Sequence, residues 1–243
     1  MSGLVVSCIV PVFNCERFLG AALESVLAQT HDAIEVIVVD DGSTDGSAAV
    51  ARSCGSAVRY VYQANAGHAA ARNRGLELAR GGFAAFLDAD DLWQREKLER
   101  QLRRFSERPE LDLCFTWLRN FVDGASPESS SGNLEDVPGY SAVTLLARRS
   151  IFERIGAFDT SLRHGNDRDW LLRAAEEGAT IEMLPEVLVY RRLHGENQSL
   201  RMSDSSRAEY LRIVKASLER RRACAGQGEP RPYDLGAGDH GPA

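Results

Sequence analysis

Phe83-Ala84-Ala85-Phe86-Leu87-Asp88-Ala89-Asp90-Asp91-Leu92-Trp93 is the stretch that decides the fold, because an apolar run ends there on three carboxylates. Phe83 to Leu87 is too apolar for a surface loop and too short for a typical helix. Gly81-Gly82 punctuates the chain just before it, so the run reads as a buried strand. Asp88, Ala89 and Asp90 then occupy the turn at its carboxyl end. Open α/β sheets bind ligands outside the carboxyl ends of their strands. Carboxylates one residue apart on an irregular turn can converge on a hard cation, and Mg²⁺ or Mn²⁺ suits oxygen ligands, with phosphates and water completing the shell. The competing reading is a solvated turn that caps a helix starting near Leu92. Asp91 is assigned the capping role; Asp88 and Asp90 are assigned the site.

Working back from this strand, Leu4 to Val12 is almost wholly apolar, as a central parallel strand buried on both faces should be. Pro11 is expected to force the chain out of the sheet. Residues 16–29 place Phe18, Leu19, Ala22, Leu23, Val26 and Leu27 at helical spacing, which makes a crossover helix. Ile34 to Val39 reads as a second strand. It runs into Asp40-Asp41-Gly42-Ser43-Thr44-Asp45-Gly46-Ser47, turn and cap residues that lead to a short helix over 48–52. Val58 to Tyr62 is a third strand, and a helix over 69–79 precedes the acidic strand. This alternation with short connections predicts an α/β fold: a doubly wound, mostly parallel central sheet flanked by helices, with right-handed crossovers.

Asp40 and Asp41 stand where the second strand leaves the sheet, and an acid there can accept hydrogen bonds from a ribose or a base N–H. Asp40 reads as half of a turn and Asp41 as the ligand contact, with capping as the alternative. Asn65-Ala66-Gly67 allows close backbone approach, and Arg72 and Asn73 can reach inward to a diphosphate. Arg72 fits a surface helix position equally well.

Composition bounds the class. A chain of 243 residues with 44% hydrophobic and 26% charged residues is one large domain, or a core with a small extension. A net charge of -6 argues against nucleic acid as the main partner. Cys8, Cys15, Cys54, Cys114 and Cys224 are scattered and form no CxxC pair, so neither a disulfide framework nor a zinc site is indicated. The first basic residue is Arg17, and no apolar run approaches the length that spans a bilayer. The expectation is a protein of the cytoplasm without an integral membrane segment.

The second half is less regular. A helix over 94–106 precedes a strand over 112–122 that carries Phe115, Trp117 and Phe121, aromatics of which Trp117 reads either as buried core, the commoner outcome, or as a platform for stacking on a ligand. Residues 124–139 are rich in Ser, Gly, Pro and Glu and read as a mobile loop. In His164-Gly165-Asn166-Asp167-Arg168-Asp169-Trp170, the apolar face given by Trp170, Leu171, Ala174 and Ala175 makes a helix whose amino end holds Asp167. The macrodipole there favours an ionised carboxylate, which a general base needs. An N-cap is the alternative for Asp167; Asp169 is expected to pair with Arg173 at i,i+4. Val187 to His194 is a strand ending in Arg191, Arg192 and His194. A final helix covers 204–223, its basic end able to touch anionic lipid or simply to complement the helix terminus. Residues 224–243 read as a tail without a core of its own.

Together these blocks resemble the family 2 glycosyltransferases of the GT-A fold. Ser7 to Asn14, Ser25 to Thr30, Glu35 to Asp45, Asn65-Ala66-Gly67, Ala71-Arg72-Asn73 and Phe86 to Asp91 follow in the family's order, and Ile151 to Asp159 again resembles the segment beneath its acceptor site. The resemblance implies a nucleotide-sugar donor, commonly UDP-linked, contacted by Pro11, Val12, Phe13, Asn14, Asp41, Asn65, Gly67, Arg72, Asp88, Ala89 and Asp90. It implies Mn²⁺ or Mg²⁺ on Asp90 with Asp88 nearby, and His194 as a further metal or diphosphate contact. Asp167 is the implied base of an inverting single displacement, with Trp117, Asn166 and Trp170 toward an unknown saccharide, lipid-linked, peptide or small-molecule acceptor. The family usually shows Glu-Asp where this chain has Asn166-Asp167, which bears on acceptor recognition. Residues 1–111 are the nucleotide-sugar half and 112–203 the acceptor and base half. Two rivals remain: a non-catalytic nucleotide-sugar-binding partner, and a sugar-phosphate nucleotidyltransferase. The latter wants a glycine-rich phosphate loop where Pro11-Val12-Phe13-Asn14 stands.

Overall fold

Seven consecutive buried residues, Val6–Val12, make β1. Side chains alternate across a strand, so an unbroken apolar run means burial on both faces. Val6, Cys8, Val10 and Val12 pack into one layer with Leu19, Leu23 and Val26 of α1 (Glu16–Leu27). Ile9 enters the opposite layer with Phe86, Phe115 and Trp170. The computed structural model of the chain describes residues 4–128, 135–195, 197 and 204–225.

β2 (Ile34–Asp40), β3 (Val58–Tyr62) and β4 (Phe83–Phe86) complete a parallel half in the order β3-β2-β1-β4, with α2 (Ser47–Ser53) and α3 (His68–Leu78) between them in sequence. α3 lies flush on β1: a Cβ built on Gly75 would stand 2.3 Å from Ile9 Cγ2. β1 and β4 are neighbours but not consecutive. Strand order therefore reverses between them, and the crevice beyond their carboxyl ends is the switch point where such sheets bind ligands.

The sheet continues through β8 (Leu146–Arg148), β6 (Leu113–Val122), β9 (Ile181–Leu193) and β5 (Leu92–Trp93), with β7 (Val137–Gly139) on the side of β6. Here β4 and β6 pair antiparallel with β8, and β6 pairs parallel with β9. α4 (Lys97–Glu107), α5 (Ser150–Ile155), α6 (Asn166–Glu176) and α7 (Asp204–Ala225) complete the chain. Among the described residues, no helix is long and apolar enough to cross a membrane.

Three local expectations are corrected. Pro11 stays in β1, opposite Val39. The carbonyls of Val5 and Ile9 accept from β4 and the following Leu87, so odd-numbered residues face that side, and β4 has ended by Pro11. Its missing N–H therefore costs no ladder bond. Leu92 starts no helix: Leu92–Trp93 pairs antiparallel with β9, and α4 begins at Lys97. Burial of Trp93 drives this docking, its indole N–H donating to Val143 O at 3.1 Å and its backbone N–H to Ser25 Oγ at 3.1 Å. Within the stretch read as a loop, Val137–Gly139 is a strand, and Asp136 makes a two-pronged pair with Arg119 at 2.7 and 2.8 Å. Of the tail read over 224–243, residues 224–225 instead continue α7; residues 226–243, like 129–134 of the loop stretch, lie outside the described residues.

Candidate functional site

The end of β4 delivers Asp88 into the switch-point crevice with its side chain 30% exposed. Its Oδ1 accepts from Arg72 Nη2 at 2.9 Å and stands 3.1 Å from His68 Nε2. Burial opposes its ionisation, but the neighbouring His68 and Arg72 outweigh that and hold the carboxyl well below the usual range. Arg72 is no surface residue; it is 4% exposed, and its Nη1 donates to Asn166 Oδ1 at 3.1 Å. One guanidinium thus ties the end of β4 to the first residue of α6. Asp167 is the next residue along.

α6 is capped by Gly165, whose φ of 71° turns the chain into the helix, so Asp167 is not the cap. It lies half-buried in the first turn, its Oδ1 accepting the Arg168 N–H at 2.9 Å. Asp169 pairs with Arg173 at 2.9 Å, as the i,i+4 spacing predicts. A narrow cavity beside Asp167 is walled by Phe115, Tyr140, Phe158 and Leu171.

Asp90 is reached from β9. His194 Nε2 stands 3.0 Å from its Oδ2, and Asn197 Nδ2 donates to the same oxygen at 3.2 Å. His194 is braced by Phe18, ring centroids 4.6 Å apart. Of the two arginines before it, Arg192 faces inward, donating from Nε to Asp90 O at 3.0 Å and from Nη1 to Asp123 at 3.2 Å. Asp91 is corrected from helix cap to buried acid: it is 3% exposed, and its Oδ1 accepts the Arg192 backbone N–H at 3.0 Å. Burial, then the like charges of Asp90 and Asp88, push its carboxyl well up. Ala89 points into the core at 6% exposure, so only its backbone borders the crevice.

At the mouths of β1 and β2, Pro11 and Val12 are buried while Phe13 is 48% exposed. Asn14 adopts φ 48° and accepts the Thr44 N–H at 2.8 Å, joining the two loops. Asp40 makes the expected turn, accepting Ser43 N–H at 2.8 Å, and is also bonded by the Tyr60 hydroxyl at 2.6 Å. Asp41 departs from expectation. It is 4% exposed and takes Gln63 Nε2 at 2.7 Å, Ala66 N–H at 2.9 Å and Gly67 N–H at 2.9 Å. It builds the Asn65-Ala66-Gly67 loop and, through it, positions His68. Gly42 permits this, since a Cβ there would stand 2.8 Å from Asn65 N.

Three acceptor-side expectations fare unequally. Asn166 is 5% exposed and committed to Arg72, so it supports the site and does not face an acceptor. Trp170 is a core residue, 1% exposed, stacked on Phe152 and donating its indole N–H to Gly156 O at 2.8 Å. Trp117 is half-buried at the register shift between β6 and β9. Asn73 does not reach the crevice; it zips α3 to Phe158 through two backbone bonds at 2.8 and 3.0 Å. His68 and Asn197 were not legible as site residues. The only hint for Asn197 is its place three residues after His194, in the turn it closes.

Among the described residues, no three His, Cys, Asp or Glu side chains are gathered to hold an ion by themselves. Asp90 and His194 nonetheless offer adjacent oxygen and nitrogen donors, Asp90 Oδ2 standing 3.0 Å from His194 Nε2. That donor set fits Mn²⁺ or Mg²⁺ when phosphate oxygens and water fill the shell.

The sequence pattern of Glycosyl transferase family 2 matches residues 7–165. An uncharacterized glycosyltransferase of Rickettsia typhi, RT0329, is 30% identical over 205 residues, covering 78% of this chain; the chain spans 64% of that relative's length. Among solved structures, S. aureus TarS 1-349 in complex with UDP-GlcNAc superposes with a TM-score of 0.75 at 21% identity, covering 89% of this chain and 66% of that one. The mannosyltransferase PcManGT of Pyrobaculum calidifontis, in complex with GDP-Man and Mn²⁺, gives a TM-score of 0.62 at 19% identity over 93% of this chain and 76% of that one. The structural likenesses show a shared GT-A fold. With the pattern spanning every strand of the parallel half and the turn that carries Asp88 and Asp90, the chain belongs to glycosyl transferase family 2.

Proposed function

We propose that this chain is an inverting glycosyltransferase that moves a sugar from a nucleoside-diphosphate sugar, UDP-linked in first place, to a hydroxyl-bearing acceptor. The observation that carries the reading is the Arg72 guanidinium, which bonds Asp88 with one nitrogen and Asn166 with another. It brings the helix bearing Asp167 to the strand end where a donor diphosphate would lie.

Residues 1–111 supply the donor half: Phe13 offers an apolar face to the base, and Asp41 shapes the loop that passes the nucleotide. Residues 112–203 supply the base and the acceptor side. Asp167 takes the proton of the acceptor hydroxyl as that oxygen attacks the anomeric carbon. Arg72 and His68 keep Asp88 ionised beside the ribose and diphosphate. Mn²⁺ or Mg²⁺ held by Asp90 and His194, with Asp88 nearby, would neutralise charge on the departing diphosphate. The solved likenesses with UDP-GlcNAc and with GDP-Man and Mn²⁺ support this class of donor. Among the described residues no disulfide joins Cys8, Cys54 or Cys114, which suits a reducing cytoplasm.

The test is calorimetric titration of a nucleotide-sugar panel with and without Mn²⁺, on wild type and Asp90→Asn. Metal-dependent binding of a UDP-sugar that loses its metal dependence in the variant is expected. Binding that ignores both metal and substitution would sink the metal assignment. Donor binding without transfer to any acceptor would favour a binding partner over an enzyme.

A further inference from the structure

α7 presents two unlike faces. Its inner face is used: Ile213 is 3% exposed, Ser217 and Arg220 bond Glu176 of α6, and Glu209 accepts the backbone N–H of His164 at 2.7 Å. On the opposite side, Leu211, Lys215, Leu218 and Arg222 recur at i, i+4, i+7 and i+11, which places them along one stripe. Leu211 is 68% exposed and Leu218 46%. Arg207 and Arg221 flank them, both exposed, and Tyr210 borders the stripe at 51% exposure. Over 204–225 the sequence has six Lys and Arg against three Asp and Glu, in a chain whose net charge is -6. Bare leucines interleaved with cations, on a basic helix of an acidic chain, are not what a water-facing helix requires.

We propose that this outer face of α7 docks on an anionic bilayer surface, leucines entering the headgroup boundary and the flanking cations facing lipid phosphates. Interfacial helices combine these two features, and anionic leaflets attract clustered Lys and Arg. Charge complementarity selects lipid over a second copy of this chain, since two such faces would bring like charges together. The docked helix also sits against the approach to the site. Glu209 holds the segment just before Gly165 and α6, so Asp167 would stand near the membrane, where an acceptor carried by a lipid would be presented.

The experiment is co-sedimentation of the full chain with vesicles of phosphatidylcholine alone or mixed with phosphatidylglycerol, at low and high salt. It needs no nucleotide, so its outcome is independent of the sugar-transfer reading. Binding to the mixed vesicles only, weakened by salt, is expected. Leu211→Ser with Leu218→Ser, and separately Arg221→Glu with Arg222→Glu, should each lower it at least about tenfold with thermal unfolding unchanged. No binding, equal binding to neutral vesicles, or binding that survives both pairs of substitutions would overturn the proposal. So would a dimer dissolved by the leucine changes in a chain that ignores vesicles.

Discussion

Lys97 is the first residue of α4, and it lies wholly buried with no carboxylate partner among the described residues. It is 0% exposed, its Nζ donates to Gln101 Oε1 at 2.8 Å, and the amine stands 4.3 Å from the centre of the Trp93 ring. Burial lowers its pKa from 10.5 to about 7. Between those values the unfolded chain holds a proton that the folded one has released, so stability must rise with pH across that window and flatten below it. The full difference corresponds to on the order of 5 kcal/mol, of which about 2 kcal/mol falls between pH 7 and 9. Lys97→Met keeps the stem against Trp93 and removes the titration. Urea unfolding of both proteins at several pH values isolates the term, because the thiols and other groups cancel in the difference. Relative to the variant, wild type should gain about 2 kcal/mol from pH 7 to 9 and change little from pH 6 to 7. A difference flat across pH 7 to 9, or one falling with pH, would refute the assignment of a deprotonating buried amine.

Gly75→Ala should destabilise by roughly 1–3 kcal/mol, although Ala normally favours a helix, because the added methyl meets Ile9; a raised melting temperature would show that α3 can back away from β1. Asp41→Asn turns an amide NH₂ toward one of two backbone donors, so a loss of about 1.5–3 kcal/mol in urea unfolding and weaker UDP affinity are expected together. Arg72→Lys keeps the charge but cannot bridge Asp88 and Asn166 as a fork; transfer should fall on the order of 10²-fold in steady-state kinetics, and near-normal kcat would mean the bridge is dispensable.

What could be read from the residues followed from burial. β1, β2 and β4 declare themselves because both faces of each are apolar, and the order of strands and helices then leaves one place for a crevice. Asp88 and Asp90 were legible as acids at a strand end, and the pairing of Asp90 with His194 joins residues that the sequence keeps far apart. What escaped was tertiary. A two-residue strand such as Leu92–Trp93 has no periodicity, and its partner β9 comes much later in the chain. Asp41 and Asn166 are polar residues whose types suit ligand contact and loop bracing equally; only their burial separates the two. Asn166 illustrates this best. In place of the family's usual Glu it looked like a change in acceptor recognition, yet its uncharged amide oxygen accepts from the Arg72 guanidinium. His68 lies on no recognisable pattern and matters because Asp41 fixes the loop that precedes it.

The account rests on proton removal by the half-buried carboxylate in the first turn of α6. The most direct measurement is single-turnover transfer by Asp167→Asn, with donor affinity determined in parallel on the same preparation. The account predicts a rate lower by about 10²–10⁴-fold at unchanged donor affinity. Transfer at the wild-type rate, or a loss fully explained by weaker donor binding, would contradict it.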